Sequence, residues 1–329
     1  MTEQLSDEEK MKRLAAQMRE AEYKGLSDAE IRERERQKAE RTQRNIGILD
    51  DTLNILKTGG YQKDGQEVRL RLSPEEMRQV RVFLPSDIDN LRDSAKASEN
   101  QARLNGCIFG CENIDTLALA EKRYRDLKAQ GITEPKILVL NMASPTRPGG
   151  RVRDGAAAQE EELCRRTSLL LSLESEDAKR YYEYNNALKT RMASDAVMMS
   201  ANVEVIKNSA SELSNEPFEI SVMSCAAPMV RLGLEGMSGD AYSDMLYKRI
   251  CGMLLVAASQ GYRHLILGAF GCGVFGNDAA AVSDLFCRAF RELSNKGHMF
   301  DSVDFAVLCR AGNDRNYREF CRNFSCEQK

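Results

Sequence analysis

Three consecutive side chains, Gln159, Glu160 and Glu161, have the types and spacing for acid/base chemistry. One carboxyl can give up a proton and the carboxylate left behind can take another from water. They follow a turn that holds Gly149, Gly150, Arg151, Arg153 and Gly155, and that turn follows the apolar run ILVLN ending at Asn141. Glycines permit positive φ and let main-chain N–H groups come close to an anion or a sugar, and a helix opening near Glu160 adds a positive terminus.

A second glycine loop follows HLILGAF: Gly271, Cys272, Gly273, Val274, Phe275 and Gly276, with Asn277 or Asp278 available to cap the next helix. The string is literally G-x-G-x-x-G. A dinucleotide-binding βαβ unit also needs an acidic residue about 20 positions on, after the next strand. Here that strand, SVDFAVLC, runs into Arg310, and too little chain follows to complete such a domain. Diphosphate binding survives the objection, because it needs only strand, glycine loop and helix terminus.

Other chemistries have little support. His264 opens an apolar run and His298 sits in a surface turn, so both read as structural. Ten cysteines are scattered without paired C-x-x-C spacing, which argues for reduced thiols rather than a zinc ribbon or a disulfide framework. No metal site and no cofactor are expected. Forty-seven basic against fifty acidic side chains leave a net charge of -3, so no global field draws the chain to nucleic acid or anionic membrane. The start, MTEQLSDEEKMKRL, lacks an apolar h-region, and no run reaches the roughly 18 apolar residues of a membrane span. A cytoplasmic location is the expectation.

The loops must be held by regular elements. Residues 1–45 balance eleven basic and eleven acidic side chains, and S-x-x-E boxes at Ser6 and Ser27 predict two solvated helices, the first ending at Gly25. Spacing of Ile46, Leu49, Leu53 and Leu56 predicts an amphipathic helix over Asn45 to Lys57. A hairpin around Asp64-Gly65 and a capped helix from Ser73 follow. From about Leu104, short apolar strands alternate with helices, including one helix over Glu160 to Leu173. That alternation predicts an α/β sandwich with a parallel or mixed sheet, and ligands collect at strand carboxyl ends in such sheets.

The run NMASPTRPGG…GAAAQEEELCRR resembles the bacterial-type poly(ADP-ribose) glycohydrolase motif, in which three glycines precede Gln-Glu-Glu. LGAFGCGVFGND resembles that family's diphosphate loop, in the same order, and RNIGILDDTLNILKTGGY, YYEYN, SANVEV and FAVL agree as flanks. The resemblance covers the chain from about Arg44 onward. It implies a macrodomain-like three-layer α/β sandwich with a mixed sheet and an N-terminal helical extension. The implied division is a charged extension over 1–44, a helical and hairpin part over 45–103 and an ADP-ribose-binding core over 104–329.

By that resemblance Glu161 is the acid/base and Glu160 holds the neighbouring ribose. Phe275 orients the terminal ribose, and Gly271, Gly273, Val274 and Gly276 contact the diphosphate. Gly149, Gly150, Arg151, Gln159, Cys272 and Asn141 complete the expected substrate contacts, although Asn141 and Ser144 serve equally well as hydrogen bonds within the turn. The implied ligand is ADP-ribose or its polymer on modified protein, and the implied reaction is hydrolysis of the bond between ribose units. A glutamate at a helix N-terminus should have a lowered pKa, so burial must oppose the helix field if it is to act as an acid.

Arg151 stands where the family has its third glycine. If the position needs positive φ, arginine is strained there by about 1 kcal/mol or more. Two readings follow. In one, the protein is a hydrolase whose preference Arg151 tunes; in the other, it is an ADP-ribose-binding module whose catalysis a cation beside Glu161 has weakened.

Overall fold

A computed structural model describes residues 7–97, 107–294, 300–309 and 312–324. Ser6, Leu104, His298 and Arg310, named above, and one of the ten cysteines, Cys326, lie outside the described residues. Helix α1 is Asp7–Tyr23 and α2 is Asp28–Thr58. The expected break near Asn45 is absent, and α2 is a single helix of 31 residues. Nothing in that stretch interrupts the helical ladder: Gly47 tolerates it, and the change from charged to amphipathic composition only marks where α2 leaves solvent for the core. Ser27 and Glu30 form the expected capping box, and Gly59 ends α2 at φ 78°.

The hairpin β1 (Gly60–Lys63) and β2 (Gln66–Arg69) turns through Asp64 and Gly65, both at positive φ. A single helical turn α3 (Pro74–Met77), the strand β3 (Val80–Phe83) and α4 (Pro85–Ala97) come next. The alternating part comprises β4 (Ile108–Glu112), α5 (Thr116–Ala129), β5 (Ile137–Met142), α6 (Gln159–Arg166), α7 (Leu169–Leu173) and α8 (Lys179–Leu188). It continues through β6 (Val197–Lys207), β7 (Leu213–Cys225), α9 (Gly239–Ser259), β8 (His264–Gly268), α10 (Ala279–Ser294), β9 (Ser302–Ala306) and α11 (Arg315–Phe324).

Seven strands form one mixed sheet in the order β3-β6-β7-β5-β8-β9-β4. β3, β6 and β7 pair antiparallel, whereas β7, β5, β8, β9 and β4 run parallel. Along β5, Leu138 and Leu140 pack with α4, α9, α10 and α11, while Ile137 and Val139 pack with α2, α5, α6, α7 and α8. Strand period two therefore splits the core into two apolar layers, one on each sheet face, giving the expected three-layer α/β sandwich.

The helix expected over Glu160 to Leu173 is two helices, broken at Thr167. Thr167 adopts extended φ and ψ and bridges to Val205, while Ser168 exchanges bonds with the main chain of Glu204, so pairing with β6 overrides local helix preference there. Asp278, rather than Asn277, caps α10 by accepting the Ala281 N–H. His264 starts β8 and shares a hydrogen bond with Ser302, as a structural histidine does.

Candidate active site

The two glycine loops leave the carboxyl ends of β5 and β8, which are parallel neighbours, and a third loop leaves β7 on the other side of β5. All three thus open at one end of the sheet. They touch there: a Cβ on Gly268, at the end of β8, would lie 2.5 Å from Cε of Met142, at the end of β5. Ala143 N–H donates to the Cys225 carbonyl, and Asn141 Nδ2 donates to Ser224 Oγ at 2.9 Å.

The first loop is built against α2. Gly155, at φ 73°, sits so close to α2 that a Cβ would lie 2.6 Å from the Thr42 carbonyl, and Asn45 Nδ2 donates to the Gly155 carbonyl at 2.9 Å. Arg165, fully buried in α6, holds the Ala156 carbonyl and Glu162. At the far end of α6, Arg166 pairs with Asp115, which also caps α5. The loop is thereby fixed at both shoulders before any ligand arrives.

Glu160 and Glu161 open α6 and are both buried. Glu161 Oε1 accepts the Arg151 N–H at 3.0 Å, and its Oε2 accepts the Ala158 N–H at 3.1 Å, the reciprocal half of a capping box. Glu160 Oε2 accepts the Ser144 N–H at 2.8 Å, and Asn141 Nδ2 lies 3.4 Å from Oε1. The carboxyls converge on one glycine: a Cβ on Gly150 would lie 2.6 Å from Glu161 Oε1 and 2.9 Å from Glu160 Oε2. Gly150 has φ 60° and Gly149 φ 65°, so the turn needs glycine for both conformation and space.

Burial, with the Glu161 charge adding to it, pushes Glu160 up to about 8 against the hydrogen bond from Ser144. Desolvation thus prevails over the helix terminus at Glu160. Tyr181 and Tyr182 stand in the same electrostatic neighbourhood, and burial raises both phenols well above their ordinary range.

The expected strain at Arg151 is absent. Its φ is −113°, outside the left-handed region, and its guanidinium turns outward to Asp154 at 3.0 Å. Ser144 Oγ accepts the N–H groups of Thr146 and Arg147 and so shapes the turn. Gln159 spends its amide on β5, donating to the Leu140 carbonyl at 2.6 Å and accepting the Met142 N–H at 2.9 Å.

In the second loop, Gly271 and Gly276 have positive φ, and a Cβ on Gly271 would lie 2.5 Å from that of Ala227. Asn277 Nδ2 donates to the Gly271 and Pro228 carbonyls while Tyr242 donates to Asn277 Oδ1. Val274 is exposed, Cys272 and Phe275 are half-buried, and Gly273 faces open space. Tyr242, Arg231 and Arg249 carry no motif and escaped the reading of the sequence. Arg249, fully buried, binds Asp195 and the carbonyls of Met192, Ala193 and Ala226, and so joins the loop after β7 to the segment before β6.

Among the described residues, no group of three or more His, Cys, Asp or Glu side chains is arranged to hold a metal, and no helix is long and apolar enough to cross a membrane. The nine described cysteines are free; Cys164, Cys225 and Cys251 are buried and the other six half-buried.

No curated protein matches the chain. A family model described as the catalytic domain of microbial-type PARG matches residues 50–208. Poly(ADP-ribose) glycohydrolase from Thermomonospora curvata is 27% identical with a TM-score of 0.75, the match covering 86% of this chain and 100% of that one. Its complex with the inhibitor ADP-HPD gives 28% identity and 0.72 over the same shares. The Deinococcus radiodurans enzyme in complex with ADP-ribose is 32% identical with a TM-score of 0.65, covering 78% of this chain and 98% of that one. Two glycine loops on adjacent parallel strands, a buried glutamate pair facing the first of them and this level of identity lead to one conclusion: the chain belongs to the microbial-type poly(ADP-ribose) glycohydrolase family.

Proposed function

We propose that the protein hydrolyses the ribose–ribose O-glycosidic bonds of ADP-ribose polymers on modified proteins and releases ADP-ribose. Glu161 is the acid/base and Glu160 holds the adjoining ribose. The observation that carries this reading is the buried carboxyl pair facing Gly150, with Glu160 raised to about 8. At neutral pH Glu160 therefore retains a proton. Departure of a ribose hydroxyl consumes a proton as oxocarbenium character develops at the anomeric carbon, and the carboxylate then takes one from the attacking water.

Diphosphate bound on the main chain of Gly271, Cys272, Gly273, Val274 and Gly276 anchors the substrate and stabilises the developing cation, with Phe275 against the terminal ribose. The relatives solved with ADP-ribose and with ADP-HPD support that ligand class. The scheme asks for no metal or organic cofactor. By the same reading residues 45–329 form the family domain, the charged helices precede it, and the protein acts in the cytoplasm.

Pairing of the Arg151 guanidinium with Asp154 supports this reading over that of a binding module with weakened catalysis. Release of ADP-ribose from poly(ADP-ribosyl)ated protein tests the proposal. Wild type turns over and Glu161→Ala does not. A wild type that binds ADP-ribose yet releases none would instead be a reader of the modification.

A further inference from the structure

Arg231 lies 40 residues before the second glycine loop in the chain, yet it is folded against that loop. Its Nε donates to the Val274 carbonyl at 2.9 Å and its Nη2 to the Gly273 carbonyl at 2.9 Å. The N–H groups of Val230 and Arg231 both donate to the Phe275 carbonyl, at 2.9 and 3.1 Å. Three successive carbonyls of the loop thus point at one two-residue segment. A Cβ on Gly276 would lie 3.2 Å from Cβ of Arg231, so the approach is close enough to favour glycine at that position too.

Every described peptide bond is trans, and in a trans peptide the C=O and N–H point to opposite sides. Turning the carbonyls of Gly273 and Val274 toward Arg231 therefore turns the N–H groups of Val274 and Phe275 away from it. The Gly276 N–H closes back on the Gly273 carbonyl at 3.2 Å, whereas those of Val274 and Phe275 bond to no other described part of the chain. Successive N–H groups on one side of a loop form a concave anion site. Holding two adjacent carbonyls at once needs a planar fork of donors, which arginine has and lysine lacks.

We propose that Arg231 is a positioning residue for substrate: it clamps the outer side of the diphosphate loop and so aims the N–H groups of Val274 and Phe275 at the ligand. This rests on the proposed function, in which that loop binds the diphosphate. Arg231 itself does not touch the reacting atoms. Its loss should weaken ground-state and transition-state binding alike and leave the chemical step at Glu161 intact.

The test measures ADP-ribose affinity by calorimetry, steady-state ADP-ribose release, and amide hydrogen exchange of the 271–277 segment, for wild type, Arg231→Ala and Arg231→Lys. In Arg231→Ala, affinity should fall about tenfold to a hundredfold and KM rise in step, with kcat within about threefold. Exchange at Gly276 and Asn277, whose N–H groups are bonded within the loop, should quicken, and Arg231→Lys should recover part of the affinity. An Arg231→Ala protein that binds ADP-ribose as wild type does, or one that loses kcat at constant KM, overturns the inference alone. A wild type that does not bind ADP-ribose overturns the reading of the loop and this inference with it.

Discussion

Arg151 meets Glu161 through its backbone N–H, 3.0 Å from Oε1, while its guanidinium is held by Asp154 on the exposed side of the turn. Any residue but proline supplies that N–H. The side chain is bound only by an exposed ion pair, worth about 1 kcal/mol at most. Arg151→Gly and Arg151→Ala should therefore release ADP-ribose within about threefold of the wild-type rate. A gain of tenfold or more, read in the same release assay, would show the guanidinium to be a brake.

Beside its proposed acid/base role Glu161 caps a helix, because its Oε2 accepts the Ala158 N–H at the start of α6. Glu161→Gln keeps an acceptor for one of its two N–H partners, so it separates chemistry from capping better than alanine does. Turnover should fall by about 10²–10⁴-fold while ADP-ribose affinity stays within about tenfold. Single-turnover kinetics alongside calorimetry distinguish this from a binding defect, which would move both together.

Both glycine loops were legible because glycine spacing after an apolar strand is a local signal, and Gly149, Gly150, Gly271 and Gly276 all take the positive φ that signal implies. The break at Thr167 was not, since its cause is a bridge to Val205, far along the chain. β6 also hid: its residues from Val203 to Lys207 are all buried, so the alternation that marks a half-exposed strand is missing. The edge strand β3 has only four residues, too few for a pattern. At the site, residue types pointed to Glu160 and Glu161, but Arg231, Arg249 and Asn45 act through contacts with carbonyls, which no spacing of residue types records.

The raised pKa of Glu160 makes a prediction about stability. Its ordinary value is 4.5 and its folded value about 8, so between these the folded state holds a proton that the unfolded chain has lost. Stability from this group is therefore full below the lower value and is lost as pH rises through the window. Glu160→Gln removes the titration. Its melting temperature should gain on wild type as pH is raised from about 5 to about 8.5, by at least ~2 °C for a chain of this length. Parallel melting curves across that range would place Glu160 among ordinary exposed carboxyls.

Gly150 and Gly273 separate packing from ligand contact. At Gly150 an added methyl would strike both carboxyls and sit at φ 60°, so Gly150→Ala should cost about 1–3 kcal/mol of stability and most of the turnover. At Gly273 a Cβ meets nothing within 4 Å and φ is not in the left-handed region, so Gly273→Ala should melt within about 1 °C of wild type. The methyl would still project from the stretch of main chain that, on the proposed reading, the diphosphate must approach closely. Gly273→Ala should then lower ADP-ribose affinity by about tenfold with its melting point unchanged, read by calorimetry and thermal denaturation. Undiminished affinity in Gly273→Ala would move the diphosphate off this stretch of main chain.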